Sequence, residues 1–488
     1  MSQIDAGAGS AGLARDAIGL REVLFQSITH MAPAAAVAFS IIVGAGFAGG
    51  ALALSVLFAL IACMSVAFSI GELARHLPSA GGMYTYVARG IHPTAGFLVA
   101  WGYAFAEPLG APLLFLIFGN VVVGTLSVSL GWSADLWWVW VVIAALLVLA
   151  LGYYGITIST EAGTALGLLE IVVFAALALW LIIQAGSANT PAAFSPGQAQ
   201  VEGFEGVGGV FAATIFSILA FIGFEAAAPL AEEAQDPKRT IRRAVVLSCL
   251  GIGLFYVFTT YAAAVFFGLD RMEGFAAFGG GNPWDGLARQ VWGIGWIAVF
   301  LAVANSAIAN ANAAANAATR TWYAMGRIRL LPTALENVHP HWRSPVVAVW
   351  LQFVVGLVVA LGLGFKYGVL PAFVLVATIL TAVIVLIYIA VNVSCIVFYL
   401  RDRRDEFSPF KHLLVPLVGI VMFVPAWLTA VGIPAFKFIA KLEYPLSLAG
   451  PVVAVWYLIG VAYMGYLMVN ARDRINDTGR VVEEEAVG

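Results

Sequence analysis

The chain has 488 residues, 62% of them hydrophobic and only 10% charged, with a mean hydropathy of +0.95 and a formal charge of −3. So little charge cannot clothe a soluble globule of this size, and a net charge near zero gives no footprint for a nucleic-acid partner. Many apolar runs suit helices crossing about 30 Å of hydrocarbon, which takes roughly 20 residues, and the ten-residue alternation of a β-barrel is not what they show.

Taken in chain order, twelve transmembrane helices are predicted, at about 22–46, 51–74, 93–125, 136–154, 162–185, 207–231, 242–268, 288–320, 345–365, 370–399, 412–433 and 449–470. The expected class is an all-α integral membrane protein in a lipid bilayer. With the N-terminus in the cytoplasm, 19 of the 24 Lys and Arg residues fall inside and 5 outside, the bias expected of a multi-pass protein in the cell membrane with both termini cytoplasmic. The first twenty residues lack the pattern of a removable signal peptide. Cys63, Cys249 and Cys395 all fall in apolar runs and read as free thiols.

The first predicted span contains "SITHMAPAAAVAFS", Ser27 to Ser40, with Pro33 near the bilayer midplane. Proline removes a backbone donor and frees carbonyls one turn back, around Thr29 and His30. The small residues Ala32, Ala34, Ala35 and Ala36 leave the backbone open to approach. Two readings stand: a kink healed by neighbouring helices, or a discontinuous helix that binds a ligand. The sixth span, "FSILAFIGFEAAAPLAEE", has its own interruption at Gly223 and Pro229, with Glu225 beside the glycine. Interrupted spans at corresponding places in two halves point to a transporter site between inverted repeats.

Three blocks, "GELARHLPSAGGMYTYVARGIHPTAGF", "FIGFEAAAPLAEEAQDPKRTIRRAV" and "ATRTWYAMGRIRLLP" with "HPHWRSPVVAV", resemble the amino acid-polyamine-organocation (APC) superfamily, and the likeness runs from about residue 18 to 470. It implies a LeuT-type fold: a cytoplasmic segment 1–20, a core of five-plus-five inverted repeats over 21–400, two extra helices over 401–470 and a cytoplasmic tail 471–488. Many relatives have a Gly-Ser-Gly type break in the first helix; here the aligned stretch is close to "APAAA". In the implied geometry the amides of Ala34, Ala35 and Ala36 face a substrate carboxylate, and the carbonyls of Thr29 and His30, with Phe221 and Ile222 next to Gly223, accept from a substrate ammonium.

Three carboxylates lie within spans, where ionisable groups are functional candidates: Glu107, Glu170 and Glu225. Glu107 reads as lining a polar cavity, and polyamine-importing relatives carry an acid near this position. Glu170 aligns approximately with a lysine that helps proton coupling in some relatives; as an acid it would carry the proton, bind a cation or pair with His30. Glu225 is a gating candidate, bracing a cytoplasmic gate with an arginine, and His30 is either a titrating group or a satisfied core histidine. Asn305, Asn312 and Asn316 share one helical face and read as glue between helices. "GAGFAG", Gly44 to Gly49, follows no strand and is no dinucleotide fingerprint.

The expected function is secondary active transport of an amino acid, coupled to a proton rather than sodium. A polyamine or amine transporter, or an amino-acid exchanger of the same superfamily, is the alternative. No cofactor or metal set is expected, and the clustered nucleophiles an enzyme needs do not stand in the sequence.

Overall fold

The computed structural model describes residues 18–79, 81–155, 160–232, 234–342 and 344–479. The first 17 residues and the last nine of the expected cytoplasmic tail lie outside them. Each predicted apolar run contains one long helix: α1 (Leu20–Met31), α2 (Leu52–Ala74), α3 (Pro93–Leu130), α4 (Trp137–Tyr154), α5 (Thr160–Ala185), α6 (Val207–Phe221), α7 (Pro237–Phe267), α8 (Trp296–Arg327), α9 (Val346–Tyr367), α10 (Val369–Arg401), α11 (Val415–Val431) and α12 (Ala449–Asn470). Among the described residues there is no strand, only a lone bridge between Ile18 and Ala234.

Ten segments are long and apolar enough to cross a membrane, and α6 with the helical turns after it, bent by 42°, makes eleven. Leu20–Ala74 counts once in that number, although its 55 residues would extend about 80 Å as one helix. It is not one helix: it breaks after α1 and turns at Gly49–Ala51, where Gly49 has φ 50°.

The eighth element departs from expectation. A separate helix, Pro283–Trp292, and the Gly293–Gly295 turn precede α8, so the predicted start at 288 fell in a different element. Gly293 at φ 55° lets the chain turn where an apolar pattern alone reads as continuous. The connection after α2 holds a further helix, Met83–Gly90.

α2, α6, α7 and α10 form the enclosed centre, with α2 against α6 and α7, and α3 against α8 and α10. α12 lies outside them and leaves Leu458, Ile459 and Val469 exposed, as a lipid-facing helix must. α3 runs unbroken through Pro108 and Pro112. Each proline strands the carbonyl four residues earlier. The Trp322 indole N–H donates to Ala104 O at 2.9 Å and the Gln352 amide donates to Pro108 O at 3.0 Å, so α8 and α9 satisfy both.

At the end of α2 the buried Glu72 is held by Arg242 at 3.1 Å, Arg75 at 3.0 Å and His412 at 3.4 Å. Nearby His76, just past the end of α2, has its imidazole pushed below its ordinary range by burial. This cluster ties α2 to α7 and to the start of the α11 segment; the sequence reading did not single out Glu72.

Candidate functional site

α1 stops at Met31, and Ala32 takes a left-handed conformation, φ 47° and ψ 67°. A residue before proline is disfavoured in the helical region, so Pro33 sets the position of the break while the left-handed residue is its neighbour. Helix resumes at Pro33–Ala35, widens to a π turn over Ala36–Ser40 and continues through Ile41–Val43. α6 stops at Phe221; Ile222 turns to ψ 125° and Gly223 to φ 122°.

The two breaks touch. A Cβ on Gly223 would fall 2.7 Å from the carbonyl carbon of His30 and 2.8 Å from its oxygen. Glycine is therefore required at this point both for its φ and for the close approach of the two main chains. The Ser27 hydroxyl donates to Phe224 O at 3.0 Å, and the Tyr256 hydroxyl from α7 lies 2.9 Å from both Met31 O and Ala220 O. One side chain thus serves carbonyls on both sides of the junction.

Beside the junction is a partly open cavity lined by the α1 break, α3, α6, α8 and α10. Of the residues singled out from sequence, His30, Ala32, Ala35, Ala36, Ile222 and Glu107 line it. Thr29, Ala34, Phe221 and Gly223 belong to the two breaks but not to the lining, and Glu170 and Glu225 stand away from it. Ser40 and Asn310 line it and were missed; both are polar residues inside apolar runs, and Asn310 lies off the face shared by Asn305, Asn312 and Asn316. Apolar walls come from Leu113, Leu114 and Ile117 of α3 with Leu380 and Ile384 of α10.

The backbone donors of the α1 break have protein partners. The Ala32 amide donates to Thr29 O at 3.1 Å, Pro33 has none, and the Ala36 amide donates to Ala32 O at 2.8 Å. The Ala35 amide donates to the Ser306 hydroxyl at 3.2 Å. The Ala34 amide lies within hydrogen-bonding reach of the Glu170 carboxylate, as does the Ser306 hydroxyl. Asn305 donates to the same carboxylate at 2.6 Å. Glu170 therefore pairs with α8 and the α1 break rather than with His30, because it approaches the half-helix from the α5 side.

Glu225 accepts the Gly223 amide at 2.9 Å, and among the described residues no arginine forms an ion pair with it. The expected Glu225–arginine brace is not the contact formed: the sharp turn at Gly223 aims an amide at the carboxylate two residues on. The arginine-braced acid is Glu72. Among the described residues lining the cavity, Glu107 is the one acidic side chain, His30 is present, and there is no lysine or arginine.

A family model described as amino acid permease matches residues 18–441. The chain belongs to that family. As a permease of the APC superfamily it is a multi-pass membrane transporter, not an enzyme. It is similar to the low-affinity putrescine importer PlaP of Escherichia coli, 26% identical over 474 residues that cover 94% of this chain and 95% of the importer. The branched-chain amino acid permease BcaP of Bacillus subtilis is 28% identical over 376 residues, covering 70% of this chain and 75% of that one. Among solved structures, a manganese transporter of Eremococcus coleocola superposes with a TM-score of 0.53 at 13% identity, over 93% of this chain and 95% of that one. That likeness concerns the fold, which is of the LeuT type.

Proposed function

We propose that this permease is a secondary active carrier that holds the ammonium group of a small organic metabolite between the broken first and sixth spans and exposes it to each side of the cell membrane in turn. The observation that carries the reading is Glu107: a carboxylate within a span, facing a cavity beside two touching helix breaks, with no lysine or arginine in the lining. A half-buried acid within a span gains from a cationic partner, and a cargo ammonium supplies one.

We read twelve crossings, the long Leu20–Ala74 segment being two, with both termini cytoplasmic on the strength of the lysine and arginine distribution. Residues 21–400 would form the core, and the pair α1 and α6 would rock against α3 and α8. A proton is the favoured coupling ion. Asn305, Ser306 and the Ala34 amide present donors to Glu170, an arrangement that suits a carboxylate and opposes a sodium ion there. We assign the coupling proton to Glu225, which leaves Glu107 ionised to meet the cargo ammonium. One charge moved through 100 mV contributes about 2.3 kcal/mol to accumulation.

An amino acid is the cargo favoured by the family and by the resemblance to BcaP. An amine is favoured by the resemblance to PlaP and by Glu107. Uptake into proteoliposomes of a panel of amino acids and amines, with and without a proton gradient, tests the reading. Saturable uptake that collapses with the gradient and falls about tenfold or more in Glu107→Gln is the expected result, from loss of one charge-assisted contact. Uptake unchanged in Glu107→Gln would overturn the assigned role of this acid.

A further inference from the structure

α3 and α8 run antiparallel along one side of the cavity, and two contacts fix their register. The Trp322 indole donates to Ala104 O, and a Cβ on Gly110 would fall 2.8 Å from the Ala314 methyl carbon. Glu107 lies one turn from Gly110 on α3 and Asn310 one turn from Ala314 on α8, on opposite sides of that contact. At about 1.5 Å per residue the two polar residues stand about 10 Å apart along the helices. Side chains lean toward the start of their own helix by about one residue position, so in an antiparallel pair these two lean apart, to about 13 Å. Gly110 and Ala314 line the stretch between them, with nothing larger than a methyl group. Asn310 is half-buried, lines the cavity and, among the described residues, forms no hydrogen bond through its side chain. The Ala32, Ala35 and Ala36 amides of the α1 break already donate within the protein, so side chains are left to meet a second polar group of the cargo.

We propose that Asn310 is a specificity residue that reads the far polar group of an extended cargo, so that the carrier selects molecules whose ammonium and second polar atom lie about five or six bonds apart over α-amino acids with apolar side chains, where they lie about three apart. The inference rests on the carrier reading above, with the cargo ammonium on Glu107, and adds to it the shape of the cargo. Hydrogen bonds of about 3 Å at each end leave about 7 Å to be spanned. An extended chain with bonds of about 1.5 Å at about 111° advances about 1.25 Å per bond, so five or six bonds cover that gap and three reach less than about 4 Å. The Asn310 amide both donates and accepts, and so serves a far carboxylate or a far ammonium alike; the register of α3 and α8 fixes its distance. Methylene groups between the two ends pass over Gly110 and Ala314.

Isomers that differ only in where the ammonium sits supply the test: γ-aminobutyrate against α-aminobutyrate, and δ-aminovalerate against norvaline, with putrescine as a cargo whose far group is cationic. Each is measured as a competitor and as a cargo in proteoliposomes holding wild type, Asn310→Ala or Asn310→Asp. In wild type each extended isomer should act at a concentration about tenfold or more below that of its α-isomer, the effect of one hydrogen bond to a charged group. Asn310→Ala removes the far contact and should narrow that ratio about tenfold. Asn310→Asp keeps the volume and changes the sign of recognition, so putrescine should gain about tenfold on γ-aminobutyrate. A loss of packing alone would lower uptake of every compound and leave the ratios unmoved. Should Asn310→Ala fail to fold, the nearly isosteric Asn310→Asp decides. Preference for the α-isomers in wild type, which would give the second polar group to His30 or Ser40, or ratios unmoved in the folded variants, would overturn the role of Asn310 while leaving the carrier reading intact. Saturable uptake of none of these compounds or of any other amine or amino acid would count against the carrier reading itself.

Discussion

α3 and the first crossing both carry proline deep in the membrane, and they respond in opposite ways. α3 holds Pro108 and Pro112 and stays helical from Pro93 to Leu130, because Trp322 and Gln352 donate to the two stranded carbonyls. The first crossing holds only Pro33 and breaks at Ala32. Proline is therefore not what separates a site from a strut. What separates them is whether neighbouring helices heal the helix in place or hold it open. Tyr256, Ser306 and Glu170 do the second, each partnering a group that a continuous helix would use internally.

The sharpest way to break this contrast is at the contact between the two open segments. Gly223→Ala places a carbon 2.7 Å from main chain at a φ of 122°, so uptake by cells at matched expression should fall to background. Normal uptake by that variant would mean that the breaks need not touch. Next comes the healed helix: Gln352→Leu strands the Pro108 carbonyl inside the bundle and should lower stability by about 1–3 kcal/mol. Its melting temperature in detergent should drop while the half-saturation concentration for uptake stays put; the reverse pattern would make α3 part of the moving machinery. Tyr256→Phe removes the one hydroxyl that serves Met31 O and Ala220 O, and should cost about 1 kcal/mol of stability with a larger relative loss of uptake. Equal losses in both would reduce Tyr256 to packing. The smallest effect is expected for Pro33→Ala, with uptake within about threefold of wild type, because a restored donor worth about 0.5–1.5 kcal/mol does not undo the contacts that hold Ala32 left-handed. Complete loss of uptake would return the break to proline alone.

Much of the fold was readable because a bilayer imposes long apolar runs, and every predicted run holds a helix. The two breaks were readable for the same reason: Pro33, Gly223 and Pro229 interrupt sequences that otherwise have no cause to stop. The partners of the freed groups were not readable. Glu170 to Ala34 and Tyr256 to Met31 are contacts between residues far apart in the chain, set by how helices cross rather than by local spacing. Asn310 escaped notice because a seven-and-four repeat drew attention to another face of α8, whereas the cavity is met by this one. Glu72 escaped because its sequence neighbourhood resembles any charged helix end, and only the arrival of Arg242 and His412 from distant segments marks it as braced.

The central claim is that cargo sits in the cavity beside the joined breaks, and access to that cavity can be measured directly. Leu114 lines it from α3, while the native Cys63, Cys249 and Cys395 are all buried. In Leu114→Cys, alkylation by a small hydrophilic thiol reagent should be slowed by transported amine or amino acid, with half-protection at the concentration that half-saturates uptake. Labelling that proceeds at an unchanged rate while uptake is saturated would place the cargo elsewhere and contradict the account.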